Sequence, residues 1–483
     1  MRQIPRHQVL ARLRHENPWW QAPHAIPEPF ASWRPRAYLD LFVGLVERVG
    51  IRRALVLMGP RRVGKTVLLH HLIAAQLRNG ESPVSLLYAS VDHPLYNGLD
   101  LEDVLGIYQE AVGLDPRTTP CTVIFDEIQY LKDWERYLKA IVDRYPKVRC
   151  IASGSAAAAL RLKSLESGAG RFSEFLLPPL TFYEFMDLLG HRNLIDLDPE
   201  TKTLPTTQDL AQVNALFLAY INHGGYPEAA LSPAIQEDPG RYIKGDIIDK
   251  VLLRDLPSLY GIQDIQELNY LFTTLAFNTA GEVSFEALSK TSGVAKNTLR
   301  RYLEYLEAAF LLRRVERVDR RARRFQRATN FKIYLTNPSI RSALFAPVDA
   351  DDEAIGSMVE TAIFAQWFHR SDPLWYARWK QGEVDLVRLD PAQRVTWALE
   401  VKWSDRGARS PGQLGGLLDF CHTHGLESAW VTSREISGSR SEQGVELRFL
   451  PASLYCYAVG YWGLREPRTH FDAIPSPGSP AAS

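Results

Sequence analysis

The sequence predicts an α/β chain: a parallel sheet built around a phosphate-binding loop, a helical stretch, and a second α/β unit towards the C-terminus. Three observations predict it. The stretch "ALVLMGPRRVGKTVLLHHLI" reads as strand, loop and helix. The apolar runs "CTVIFDEIQYL" and "VRCIASGSAAAAL" follow, each ending in polar residues. Far downstream, "VTWALEVKWS" places Glu400 and Lys402 two residues apart, on one face of an apolar strand.

Composition narrows the classes. With 483 residues the chain can hold two to four domains by length alone. Its 46% hydrophobic and 23% charged residues are ordinary for a folded globular protein. Cys121, Cys150, Cys421 and Cys456 are scattered, with no C-x-x-C, which argues against a disulfide framework or zinc site and fits a reducing cytoplasm. No apolar run approaches the ~20 residues of a spanning helix. The start, "MRQIPRHQVLARLRHENPWW", lacks a secretory signal's apolar core. A cytoplasmic location with no membrane partner is therefore expected. Lys plus Arg and Asp plus Glu are 56 each, so any basic surface must be local.

After an N-terminal helical arm (1–35), residues 36–205 read as the nucleotide-binding core. Gly59 to Thr66 fits G-x-x-x-x-G-K-[ST] between a strand (Ala54 to Met58) and a helix, the context a P-loop NTPase requires. Gly59 and Gly64 let backbone N–H groups point at phosphates, and the helix N-terminus adds positive potential. Pro60, Arg61, Arg62, Val63 and Val67 complete the cradle. Lys65 would reach the β- and γ-phosphates and Thr66 would bind Mg²⁺, so ATP and Mg²⁺ are the expected ligands. Asp126, ending the second strand, is placed to hold the ion, and Glu127 to polarise the attacking water. The plainer reading of that acid pair is a helix cap. The third strand, Val148 to Ala152, ends at Ser153 and Ser155, and a polar residue there can sense the γ-phosphate. Ser155 is the candidate; a simple turn is the alternative.

Residues 206–260 are helical around the Gly224–Gly225 turn and suit a lid on the core. From 261 to 340 come three helices, "IQELNYLFTTLAFNTA", "SFEALSKTSG" capped by Ser284, and "AKNTLRRYLEYLEAAFLL", then strands near "LLRRVERV" and "NFKIYLTN". Three helices and a hairpin read as a winged helix-turn-helix. Lys296, Asn297, Arg300 and Arg301 start its third helix, and the arginine-dense wing "RRVERVDRRARRFQR" suits phosphate contact, making nucleic acid the expected partner. A hairpin packed on another domain is the alternative.

Residues 341–460 give meaning to the Glu400/Lys402 strand. A lone [DE]-x-K is uninformative, since Glu200 and Lys202 make another one in a Pro/Thr-rich loop. The context matters: a helix with Glu360, a strand, a strand with Asp385, the strand with Glu400, a helix and a further strand. That is the core order of PD-(D/E)xK nucleases, a restriction-endonuclease-like α/β fold. Hard cations take carboxylate oxygens, here Glu360, Asp385 and Glu400. Lys402 would orient or deprotonate the water and offset charge. A structural ion pair is the other reading, but three carboxylates against one lysine favour a metal. The tail, 461–483, is Pro/Ser/Ala-rich and expected to be disordered.

The order of "GPRRVGKT", "IFDEIQYLKDWERYLKAIVD", "IASGSAAAAL", "GRFSEFLLPPLTFYEF" and "GGYPEA" resembles a prokaryotic family of AAA-superfamily ATPases. The C-terminal half of that family is a domain of unknown function related to restriction-endonuclease-like folds. The likeness covers roughly residues 35 to 460. It implies ATP hydrolysis, makes Arg171 a candidate arginine finger or phosphate sensor, and makes "HGGYPEA" a lid turn. A finger supplied by a neighbour would imply a homo-oligomer. The expected function is an ATPase coupled to a nucleic-acid-binding, Mg²⁺-dependent nuclease module. The alternative is an ATP-dependent switch or scaffold that binds DNA or a protein partner and cuts nothing.

Overall fold

The computed structural model describes residues 5–48, 52–154, 170–198, 204–323, 330–369 and 373–465. The chain divides into two compact units, Met1–Leu177 and Pro178–Ser483.

The first unit contains α1 (Arg6–Glu16), α2 (Leu39–Val46), β1 (Ala54–Met58), α3 (Lys65–Arg78), β2 (Leu86–Ser90), α4 (Leu101–Val112), β3 (Cys121–Asp126), α5 (Trp134–Arg144), β4 (Val148–Gly154) and β5 (Phe172–Leu176). The strands form a sheet in the order β2-β3-β4-β1-β5, and all its pairs are parallel. β1 and β3 are buried along their whole length, as strands covered on both faces must be. β4 lies between β1 and β3, so the loop after β1 and the acids after β3 flank the end of β4. Parallel strands discharge their C-terminal loops at one edge, and ligands of open α/β sheets bind there.

The N-terminal arm closes the exposed edge of this sheet. The Asn17 amide donates to the Tyr88 carbonyl and accepts from the Tyr88 N–H, both at 2.7 Å. Trp19 and Trp20 donate indole N–H groups to the Leu86 carbonyl. These side chains supply the partners that another strand would give edge strand β2.

The second unit holds α6 (Phe182–Leu188), α7 (Leu210–His223), α8 (Ile265–Phe277), β6 (Glu282–Ser284), α9 (Phe285–Ser292), α10 (Lys296–Ala308), β7 (Leu312–Val318), β8 (Asn330–Leu335), α11 (Ser339–Leu344) and α12 (Ile355–Ala365). It continues with β9 (Trp375–Trp379), β10 (Gly382–Leu389), β11 (Val395–Glu400), α13 (Gly415–His424), β12 (Ser428–Ser433), β13 (Gly438–Glu442), β14 (Val445–Pro451) and α14 (Ala452–Arg465). Ser284 caps α9 by accepting the Ala287 N–H, and Gly293, at φ 74°, ends it in the left-handed conformation that glycine adopts without penalty.

Three expectations about boundaries change. Residues 178–198 and 204–260, expected in the core (36–205) and lid (206–260), cluster by their contacts with the second unit. There the Tyr220 hydroxyl donates to the Leu180 carbonyl, and Phe182 N–H donates to the buried Gln366. The break expected at 340 is not a break in the sheet. Nine strands run β13-β14-β12-β11-β10-β9-β7-β8-β6, because β7 pairs in parallel with β9 through Glu316 and Trp375. The hairpin β7–β8 is thus built into the same sheet as Asp385 and Glu400. Finally, residues 461–465, expected in a disordered tail, end α14 with Tyr461, Trp462 and Leu464 buried. The rest of that tail lies outside the described residues.

Candidate functional site

The loop of the first unit follows from its glycines. A Cβ on Gly59 would stand 2.2 Å from the Leu177 carbonyl oxygen, so nothing larger fits beside the chain leaving β5. Gly64 has φ 91° and lets α3 begin directly after the turn. Lys65 is buried, and its ammonium donates to the carbonyls of Gly59 and Pro60 at 3.0 and 2.8 Å. The loop therefore encloses the charge that would meet phosphate.

Thr66 Oγ1 donates to Asp126 Oδ2 at 2.7 Å, and the Tyr88 hydroxyl donates to the same oxygen at 2.8 Å. Ser153 Oγ donates to Asp126 Oδ1. The Glu127 N–H lies 3.1 Å from that carboxylate oxygen and 3.4 Å from Ser153 Oγ. A hydroxyl and a carboxylate this close suit a hard cation such as Mg²⁺. Glu127 sits at φ 56°, a left-handed conformation uncommon outside glycine, which aims it away from the line of β3. Its carboxylate accepts from Gln129. Burial pushes the Glu127 carboxyl above its ordinary value, against the pull of Lys65.

Lys65, Thr66, Asp126 and Glu127 thus meet at one edge of the sheet. Ser153 joins them, although Ser155 was the candidate; Ser155 lies outside the described residues. Arg171 is not brought to the loop. Its carbonyl accepts from Ala54 at the start of β1, whereas the loop follows the end of β1. Its guanidinium pairs with Asp143 at 2.8 Å on the surface.

The second constellation lies within the nine-stranded sheet. Glu360 comes from α12, Asp385 from β10, Glu400 from the end of β11, and Lys402 from just beyond it. The register of β10 against β9 shifts between Val384 and Val387, a bulge of the kind that re-aims a side chain, here at Asp385. Lys402 Nζ lies 2.7 Å from Glu400 Oε1. Asp385 Oδ2 accepts the Val401 N–H at 2.9 Å.

Sequence reasoning missed the centre of this cluster. Lys332, from hairpin strand β8, is 2% exposed. Its ammonium lies 2.9 Å from Glu360, 2.8 Å from Glu383 and 3.1 Å from Asp385. Tyr334, two residues on, donates to the same Glu360 oxygen at 2.6 Å. Alternation gave no signal for it: with Phe331, Ile333 and Leu335 on one face, Asn330, Lys332 and Tyr334 read as the solvent face, whereas β8 is buried on both faces. Glu383 is two residues from Asp385.

This changes the charge balance. Four carboxylates face two ammonium groups, not three facing one. Among the described residues, no three His, Cys, Asp or Glu side chains are arranged to hold a metal ion. The expected Mg²⁺ ligands Glu360, Asp385 and Glu400 are drawn together, but Lys332 already stands among them. The donor set as arranged does not fit a divalent ion. Glu400 Oε2 is buried without a hydrogen-bond partner among the described residues.

Burial and the charge of Asp385 push Glu360 up to about 7 and Glu400 up to about 8. Burial also opposes ionisation of Asp385, but Lys332, Lys402 and the Val401 N–H outweigh it and hold Asp385 below its ordinary range. Folded Glu360 and Glu400 therefore keep protons that unfolded glutamates, near 4.5, have released. These two carboxyls therefore contribute stability that falls as pH rises from about 5 to 8, because each binds more protons in the native state across that window. Asp385 has the opposite sign, and its contribution is lost only in acid. Thermal unfolding across this range isolates the contribution by difference: Glu360→Gln and Glu400→Gln should each lose less stability than wild type as pH rises. A pH dependence that neither substitution changes would contradict the assignment.

Comparisons with known proteins agree with the first unit and say little of the second. Residues 51–186 match the family described as an AAA domain, and residues 214–352 match a domain of unknown function, DUF8612. An uncharacterized protein of Haemophilus influenzae is 23% identical over 354 residues, 72% of this chain and 82% of that protein. An uncharacterized protein of Methanocaldococcus jannaschii is 27% identical over 357 residues, 70% and 73% of the two chains. Among solved structures, the Aeropyrum pernix ORC2 protein is similar over 63% of this chain and 91% of its own, at 12% identity and a TM-score of 0.35. A RuvB mutant from Thermotoga maritima is similar over 60% and 94%, at 18% identity and a TM-score of 0.29. No described helix is long and apolar enough to cross a membrane. The stretch similar to AAA domains spans the phosphate-binding loop and the acids that end β3.

Proposed function

We propose that this chain is an ATPase whose nucleotide cycle regulates nucleic-acid binding by its second unit. The observation that carries the first half is the convergence of Lys65, Thr66, Asp126, Glu127 and Ser153 at one edge of the parallel sheet. On binding ATP, Lys65 exchanges the Gly59 and Pro60 carbonyls for phosphate oxygens. Thr66 and Asp126 would hold Mg²⁺, which would neutralise phosphate charge when bound. Ser153 stands where a γ-phosphate can be sensed, and Glu127 takes the proton of the attacking water.

The second half rests on α8, α9, α10 and the β7–β8 hairpin, the order of a winged helix-turn-helix. Lys296, Asn297, Arg300 and Arg301 are exposed at the start of α10. The hairpin offers less than its composition promised. Arg314 pairs with Glu307, Arg317 with Glu282, and Arg320 with Asp419. Phosphate contact is accordingly assigned to α10 first.

The test is anisotropy of labelled duplex DNA, single-stranded DNA and RNA with the full chain, at stepped salt, with and without ATP. Each phosphate contact in duplex DNA contributes a slope of about 0.9 in log affinity against log salt. Arg300→Ala with Arg301→Ala should lower the slope by nearly two such contacts. ATP should shift the affinity of wild type and not of Lys65→Ala. Binding absent in every arm rejects the nucleic-acid half, and affinity indifferent to ATP rejects the coupling. A second reading, a nuclease, is favoured by Glu360, Asp385, Glu400 and Lys402 lying in one place. Incubation with plasmid, single-stranded DNA and RNA in Mg²⁺ or Mn²⁺ tests it, and cleavage must disappear in Lys402→Ala.

A further inference from the structure

We infer that Lys332 is the resident cation of the carboxylate cluster in the second unit, and that it holds the cluster against a divalent ion. The inference rests on the nuclease-like reading of Glu360, Asp385, Glu400 and Lys402, and it deepens that reading by assigning a residue from outside its motif.

The geometry is that of an occupied cation site. One ammonium lies within 3.1 Å of oxygens from three carboxylates, on α12 and on two alternate positions of β10. An ammonium has three donors, and here each finds a carboxylate. Lys332 is 2% exposed, so water has little access to the ammonium, although Glu383 keeps 32% of its side-chain exposure. A divalent ion binding Glu360 Oε1 and Asp385 Oδ1 would need the same two oxygens that Lys332 holds at 2.9 and 3.1 Å. Two cations cannot share these oxygens without strong mutual repulsion in a buried setting. Lysine carries one charge where a divalent ion carries two, and the remaining imbalance falls on Glu400, whose buried Oε2 has no hydrogen-bond partner among the described residues.

The Lys332 side chain is 3% exposed, so it has almost no open solvent to swing into. Its strand is paired on both sides, Lys332 standing opposite Val315 of β7 and Glu282 of β6. Tyr334 ties the same strand to Glu360, and the Lys332 ammonium lies 5.4 Å from the centre of the Tyr376 ring on β9. The hairpin therefore carries the lock. Admitting a metal requires displacing the Lys332 ammonium, and Lys332 belongs to the hairpin next to the proposed nucleic-acid-binding helices.

The experiment is Mn²⁺ binding by electron paramagnetic resonance, with nucleotide absent, on the full chain. Wild type, Lys332→Met, Lys332→Gln and Lys332→Met with Asp385→Asn are compared. Lys332→Met keeps the length of the side chain and removes its charge; Lys332→Gln keeps a donor. The expected result is no Asp385-dependent site in wild type. In the Lys332 variants a new site should bind at least about tenfold tighter, and it should vanish when Asp385→Asn is added. Wild type binding Mn²⁺ through Asp385 as tightly as the variants would overturn the inference while leaving the nuclease reading standing. Absence of the site from both also overturns it, since the cluster would then not be a cation site freed by losing Lys332. Should neither variant fold alone, refolding with Mn²⁺ decides: recovery supports the inference and failure to recover rejects it. Nucleic-acid binding and ATP hydrolysis are read separately, so their outcome is independent of this one.

Discussion

Replacing Glu127 with Gln is expected to slow ATP hydrolysis by about 10²–10⁴-fold, the usual contribution of a positioned general base, while ATP still binds. The substitution keeps the shape of the side chain and its capacity to face Gln129. It removes only the ability to take a proton. The position is held by backbone geometry rather than by chance contact: φ is 56°, and the N–H points to the Asp126 carboxylate and the Ser153 hydroxyl. A non-glycine residue in this conformation carries local strain, which folded proteins retain where the surrounding structure enforces it. Burial also raises the carboxyl's proton affinity, and a base is most effective when its pKa approaches the working pH. Lys65→Ala should behave differently, losing ATP binding as well as hydrolysis, because its ammonium is the cation inside the loop. Phosphate release and fluorescent-nucleotide titration separate the two. A Glu127→Gln variant that hydrolyses ATP at the wild-type rate would move the base to another residue.

The two sites differ in how readily the sequence yields them, and the reason is physical. The nucleotide site is built from contiguous motifs. Its glycines, lysine and threonine lie within eight residues, and Asp126 and Glu127 mark the end of one strand. Local backbone geometry alone places Gly59 to Thr66, so a local reading recovers them. Ser153 was recovered only as one of two serines, because which of them faces Asp126 depends on where β4 ends. The cluster around Asp385 is long-range by construction. Its residues come from β8, α12, β10 and β11, and the pairing that joins β7 to β9 links Glu316 with Trp375. Parallel pairing between distant strands leaves no turn signal between them. Strand alternation alone would send Lys332 to solvent, and no local rule said that β8 is covered on both faces. The charge argument from three carboxylates and one lysine was sound in form and incomplete in membership.

Removing the charge of Lys332 should strongly destabilise the second unit. Lys332→Met is expected to cost about 3–5 kcal/mol, the range for breaking a buried ion pair and leaving its partners uncompensated. Lys402→Met should cost less. Lys402 retains 40% of its side-chain exposure against 3% for Lys332, so water screens its pair with Glu400. Denaturant unfolding of both variants checks the order. A double-mutant cycle with Glu360→Gln then separates charge from packing: neutralising one of the facing carboxylates should return part of the loss if repulsion among them is the cause. Were the loss unchanged by Glu360→Gln, the cost would belong to side-chain packing against Tyr334 and Tyr376. The distinction reaches function, because a lysine kept for charge occupies the position a metal would take. A lysine kept for packing would leave Glu360, Asp385 and Glu400 to bind an ion beside it. A large loss rescued by Glu360→Gln, together with a Mn²⁺ site that appears only without Lys332, would make strand β8 part of the C-terminal site rather than its neighbour.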